Sequence, residues 1–216
     1  MGKDDAAKRA DAAKVCATPL PLFNCPSRRQ PIAYVASYQN GTWTAHNSDP
    51  APVHARSDYT CNAGSIYLFP EFGPNSIPQG DTTYPWPDPR NFNGIAYPRS
   101  ALPGVMVRDG DTNTYLIGEK YLMTDYYTTG ECGADNTSMY QGYDFDINRW
   151  ANLQLMPSQD KPGYDEWRVF GSAHAGGFQM AMCDGSVRSI SYSIDSNTHL
   201  RLGNRDDGQV IDDSKL

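Results

Sequence analysis

The sequence predicts an α+β domain, mainly β, in which a short N-terminal helix packs with an antiparallel sheet and long Pro/Gly-rich loops join the elements. Three observations carry this reading. Residues 177–183 and 186–192 flank Asp184-Gly185, a dipeptide that two-residue hairpin turns prefer. An Ala/Lys/Asp-rich run over residues 3–15 stops before Pro19 and Pro21, as the tail of a helix does. The 19 Gly and 16 Pro among 216 residues, together with 14 Tyr, leave room for few long helices and favour strands and turns.

Each element follows from local chemistry. The helix over 3–15 has an acidic first turn, but Ala7, Ala10 and Ala13 give it only a weak apolar stripe. Alone it would be marginal, so it continues a longer helix or packs on the body. Residues 20–27 alternate prolines with apolar side chains and form an extended lead into the domain. Residues 32–38 read as a strand ending at Asn40-Gly41. Residues 42–103 are broken by repeated prolines and are mostly irregular, with a short strand over 63–69. Residues 104–107 and 114–123 read as two strands around a polar turn, a short helical turn from Asp111 being the alternative. After the acidic, Gly-rich loop 126–147, residues 167–170 open the last ordered region. With Asp184-Gly185 as the whole loop, Cys183 pairs with Ser186 and Met182 with Val187. Phe178, Met180, Met182 and Val187 then share the buried face. Asp195 or Ser196 caps a helix that runs through Leu202 and ends at Gly203. The expected organisation is a helix within 1–18, one globular domain over 19–205 and a loosely held polar tail over 206–216.

The formal net charge of −7 argues against nucleic acid and anionic lipid as partners. Arg28-Arg29 is the tightest basic cluster and reads as a solvated loop. No stretch reaches the roughly 18 apolar residues that span a bilayer, and the N-terminus lacks the layout of a secretory signal. The chain is therefore expected to be either cytoplasmic or a portion separated from its targeting segment. Cys16, Cys25, Cys61, Cys132 and Cys183 include no C-x-x-C pair and no His at zinc-like spacing, which argues against a structural zinc site. Their odd number leaves one thiol unpaired in an oxidising compartment; in a reducing one all five serve as small hydrophobes.

Candidate chemistry is sparse. His174 and Asp184 suggest an acid–base pair, but seven strand residues at about 3.3 Å separate them by roughly 20 Å. Asp184 then makes the turn, and His174 satisfies a backbone carbonyl or a partner elsewhere. Asp109, Asp111 and Asn113 place oxygen side chains at alternate positions, as the first half of a calcium loop does, and Glu119 could add a bidentate carboxylate. The loop lacks the Gly and Glu of an EF-hand. Residues 144–148 repeat the spacing with apolar residues between and suit an alternating strand. No G-x-S-x-G elbow or phosphate loop is present, and no catalytic residue is assigned. Trp43, Tyr84 and Trp86 offer rings on which a sugar could stack.

His174-Ala175-Gly176-Gly177, followed by Asp184-Gly185 with nine residues between the His and the Asp, resembles the H-X9-DG signature of a prepilin-like family abundant in planctomycetes, domain of unknown function 1559. Three further segments agree in order. Phe23-Asn24-Cys25-Pro26-Ser27 resembles its F-x-C-P-S motif. Asp109-Gly110-Asp111-Thr112-Asn113-Thr114 with Gly118-Glu119 resembles its D-G-T-S-N-T…G-E block, and Leu202-Gly203-Asn204-Arg205-Asp206-Asp207-Gly208 its usual ending. The resemblance implies a pseudopilin-like fold, a prepilin leader and a long apolar helix ahead of this portion. It also implies an extracytoplasmic location: periplasmic, cell-surface or secreted. The implied role is non-enzymatic and structural, in a pilus or type II secretion-like system, with protein partners or self-assembly through that helix and no required cofactor. A Cys near that helix in similar proteins implies that Cys25 or another thiol is without its partner here. The competing reading is an extracellular glycan- or solute-binding module, assisted by calcium.

Overall fold

The computed structural model describes residues 5–38, 41–42, 44–45, 47–68 and 73–212. In chain order the elements are α1 (Asp5–Cys16), β1 (Ala33–Val35), β2 (Ser37–Tyr38), β3 (Gly41–Thr42), β4 (Val53–Ala55), β5 (Tyr59–Asn62), α2 (Ile77–Thr82), β6 (Tyr115–Glu119), β7 (Asn148–Arg149), β8 (Ser158–Gln159), β9 (Gly171–Ser172), β10 (Phe178–Met182), β11 (Val187–Ile190) and α3 (Ser196–Gly203). The class is α+β, mainly β, as the sequence predicts. A five-stranded sheet in the order β11-β10-β6-β5-β7 forms the centre, antiparallel except where β7 joins β5. The pairs β1–β4, β2–β3 and β8–β9 are separate two-stranded sheets. The predicted Asn40-Gly41 turn falls partly outside the described residues.

Alternation along β10 drives the core. Phe178, Met180 and Met182 point to one face and are fully buried with Tyr115, Phe170, Ile190, Ile194 and Leu202. Phe170 stacks on Phe178 with ring centroids 6.0 Å apart, and Tyr115 meets Phe170 edge-on. Helix α3 closes this core with Leu202, while Gly203 passes so close to Ala151 that a Cβ there would lie 2.6 Å from the alanine's own. The Asp195 carboxylate caps α3 by accepting the Thr198 N–H at 3.0 Å. Asp195→Ala is expected to cost about 1 kcal/mol. An unshifted urea midpoint would count against this cap.

The hairpin differs from the sequence expectation by one residue. Ala181 pairs with Val187 and Phe178 with Ile190. The loop is Cys183-Asp184-Gly185, closed by Gly185 N–H to the Met182 carbonyl (3.0 Å) and Met182 N–H to the Ser186 carbonyl (2.8 Å), with Gly185 at φ +84°. The extra loop residue moves Val187 off the core face: it is 66% exposed, and Ile190 is buried instead. Tertiary bonds select this loop, since Cys183 N–H reaches the Thr114 carbonyl (2.9 Å) and Asp184 N–H that of Asp111 (3.1 Å).

Other expectations shift for similar reasons. The strand placed over 63–69 is instead Tyr59–Asn62, and residues 63–68 carry none. Asn62 ends β5 by accepting the Gly64 N–H and donating to the Tyr115 and Gly203 carbonyls, so its amide acts as a hub. Residues 104–107 hold a 3₁₀ turn rather than a strand, and Asp111–Asn113 form the short helical turn named as the alternative. Residues 144–148 fold as a turn, with Asp144 accepting the Asp146 N–H, and only Asn148–Arg149 pair as a strand. The C-terminal stretch is not loose through residue 211. Asp109 accepts the N–H groups of Asp207 and Gly208, Arg201 donates to the Val210 carbonyl, and Ile211 packs on the main core.

Candidate functional site

The F-x-C-P-S segment leads into a turn in which Arg28 N–H returns to the Cys25 carbonyl at 3.0 Å. The two arginines that follow are not solvated, contrary to the sequence expectation. Both side chains lie within the body, Arg28 against Asp160 (2.8 Å) and Asp58 (3.4 Å), Arg29 against Asp58 (2.8 Å) and Asp135. Lys120 and Arg56 also face Asp135, at 2.8 and 3.6 Å. Burial is tolerable because the charges alternate and several donors find carbonyls: Arg28 donates to Lys120 O (2.7 Å) and Arg29 to Tyr127 O (2.9 Å). Burial alone would raise the Asp135 carboxyl, but Arg29, Lys120 and Arg56 together hold it well below the usual carboxylate range.

This network positions the preceding cysteine. Asp58, gripped by both arginines through one oxygen, accepts the Cys25 N–H through the other at 2.8 Å. The Cys25 sulfur then lies 3.6 Å from His174 Nε2, and Glu119 Oε1 lies 3.3 Å from that same nitrogen. The three donor atoms are all within 4.8 Å of one another. Cys25 and Glu119 are buried, whereas the His174 side chain is 39% exposed.

Each ligand atom is oriented from behind. Glu119 ends β6, and its Oε2 accepts the Gln179 N–H of β10 at 2.8 Å, which turns Oε1 toward the histidine. His174 stands in the loop between β9 and β10. Its N–H donates to Ser172 Oγ (3.1 Å) and its carbonyl accepts from the Tyr192 hydroxyl (2.7 Å). Gly177 closes that loop at φ +146°, where an added Cβ would lie 2.3 Å from the Ile190 carbonyl oxygen. Gly177→Ala is therefore expected to destabilise by about 2–3 kcal/mol, whereas Gly176→Ala, with nothing within 4 Å, should be neutral. Equal melting temperatures for the two variants would refute the assignment.

Chemically, the cluster differs from a nucleophilic relay. In a Cys–His–acid triad the thiol and the acid use opposite ring nitrogens. Here sulfur and carboxylate converge on Nε2 alone. Burial, and after it the Glu119 carboxylate, push the Cys25 thiol up against a lowering contribution from the Ser27 N–H, which favours the neutral form. What the geometry does present is one sulfur, one nitrogen and one oxygen aimed at a common point.

The remaining predicted residues fall elsewhere. Pro26 and Ser27 build the Cys25 turn. Asp184 accepts from the Ser186 N–H and hydroxyl at 2.9 and 2.7 Å, remote in role from His174. The calcium set is not brought together: both Asp109 oxygens are taken by backbone N–H groups and Glu119 faces Cys25 and His174. Trp43 lies outside the described residues. Tyr84 meets the edge of Trp86 at 4.7 Å, Arg99 lies over the Trp86 ring at 5.2 Å, and the indole N–H is spent on the Gly80 carbonyl. An open cleft of about 340 Å³, lined in part by Phe92, Tyr97 and Arg205, lies apart from the Cys25 cluster and holds none of its residues.

A family model described as "Protein of unknown function (DUF1559)" matches residues 1–197. The chain belongs to that family. No curated protein and no solved structure matches it.

Proposed function

We propose that this member of the DUF1559 family is a non-enzymatic, pseudopilin-like structural protein, exposed outside the cytoplasmic membrane and working by protein contacts in a pilus or type II secretion-like assembly. The observation that carries the reading is the arrangement of α1. Among residues 5–16 only Cys16 is buried, and the helix joins the body at its far end through Cys16 O to Ser138 Oγ and Thr18 O to Tyr140 Oη. Arg9 adds an exposed ion pair with Asp49, an interaction of small worth, and its carbonyl accepts the Asp49 N–H at 3.2 Å. A helix that keeps Lys8, Lys14 and Val15 exposed leaves that face for a neighbouring subunit, as a stalk helix does.

The test uses the natural gene product in its own host. A photocrosslinking residue at Val15, 50% exposed on α1, is expected to give adducts heavier than one chain, and protease added to spheroplasts is expected to digest the body. Recovery of intact chain from the cytoplasm, or an absence of adducts, would overturn the proposal.

A further inference from the structure

We propose that Cys25, Glu119 and His174 form a zinc site with three protein ligands and one open position. This inference is independent of the assembly role. It starts from distances. Zinc bonds of about 2.3 Å to sulfur and about 2.0–2.1 Å to nitrogen and oxygen, set at tetrahedral angles, place a sulfur and a nitrogen about 3.6 Å apart and a nitrogen and an oxygen about 3.4 Å apart. The observed separations are 3.6 Å for Cys25 Sγ to His174 Nε2 and 3.3 Å for His174 Nε2 to Glu119 Oε1. Two of the three edges therefore already have the lengths of a zinc tetrahedron, and the third, from sulfur to carboxylate, is no longer than 4.8 Å.

Donor chemistry selects the metal. A mixed sulfur, nitrogen and oxygen set suits a borderline divalent ion, whereas calcium and magnesium require oxygen ligands in greater number. Charge agrees, because a thiolate and a carboxylate with a neutral imidazole compensate a dication inside a largely buried site.

The outer contacts have the form that orients metal ligands. Asp58 holds the Cys25 backbone, Gln179 N–H holds the second Glu119 oxygen, and Ser172 with Tyr192 fix the His174 backbone. Three protein donors leave a fourth position for a water or an exogenous ligand, and His174 is the donor residue with solvent access. The ion would tie together the turn after the N-terminal lead, the end of β6 and the loop before β10, joining residues as far as 149 apart in the chain.

The test titrates the chelator-stripped, reduced chain with Zn2+ by calorimetry and with Co2+ by absorption. Expected are one ion per chain, a sulfur-to-cobalt charge-transfer band and a raised melting temperature with zinc. His174→Ala decides the matter, because this partly exposed side chain can be removed with the fold intact. It is expected to weaken zinc binding by at least about tenfold. Cys25→Ser should abolish the charge-transfer band, and Cys61→Ser should keep it. Undiminished zinc affinity in folded His174→Ala, or a folded wild-type chain that takes up no stoichiometric zinc, would overturn the proposal.

Discussion

Asp135→Asn is expected to lower the stability of the chain by about 3–5 kcal/mol at neutral pH. Asp135 receives two guanidinium nitrogens of Arg29, the Lys120 ammonium at 2.8 Å and Arg56 at 3.6 Å, and every one of these side chains is buried. An asparagine keeps the shape but removes the charge on which three cations converge. Taking one partner from a buried ion pair costs about 3–5 kcal/mol, because the opposite charge stays desolvated. Against total stabilities of about 5–15 kcal/mol such a loss is a large share. The same change at an exposed pair, Asp88→Asn facing Arg90, should not measurably move the urea midpoint. Circular dichroism with urea titration reads both. A folded Asp135→Asn chain with a wild-type midpoint would show that the network adds nothing to stability.

That network also marks where sequence reasoning stops. Arg28 meets Asp160 across 132 residues, and no local pattern distinguishes such a pair from two solvated charges. Local rules worked where the determinants are local. The Ala-rich helix, the Asp195 cap and the inward face of Phe178, Met180 and Met182 all follow from spacing and capping chemistry, whereas the last helix includes Gly203 and is capped by Asn204. The hairpin register failed by one residue because Thr114 and Asp111, far along the chain, accept bonds from the loop and hold it open.

The candidate site was legible in a different way. Cysteine spacing argues only against a closed zinc site built from one local motif. Yet three of the four family segments each contribute one residue to a common cluster, Cys25, Glu119 and His174, which only the fold brings together. Glu119 was assigned to Asp109 and Asp111 by nearness in sequence. Its place at the last position of β6, with β5 on one side and β10 on the other, turns it instead toward the Cys25 turn.

Lowering the pH from 6.5 to 4.5 is expected to cost the wild-type chain about 2–3 kcal/mol more than it costs His199→Gln. His199 is fully buried between Tyr115 and Phe170, its Nδ1 3.3 Å from the Tyr115 hydroxyl. Burial pushes its pKa down to about 3. An unfolded histidine titrates near 6.5, so between these values the unfolded chain binds a proton that the folded one refuses. Stability is then fully present above pH 6.5, falls as the pH drops, and levels only below about 3. Asp146 acts in the opposite sense. Burial and the Asp144 carboxylate raise it to about 8, so the folded chain keeps that proton where the unfolded chain has lost it. The two slopes oppose each other in the wild-type profile, which is why the measurement must be a difference. Glutamine keeps a hydrogen-bonding partner for Tyr115 and cannot titrate, so the Asp146 contribution cancels between the chains. Urea denaturation at several pH values supplies the comparison, and parallel profiles would show that His199 is protonated in the folded state.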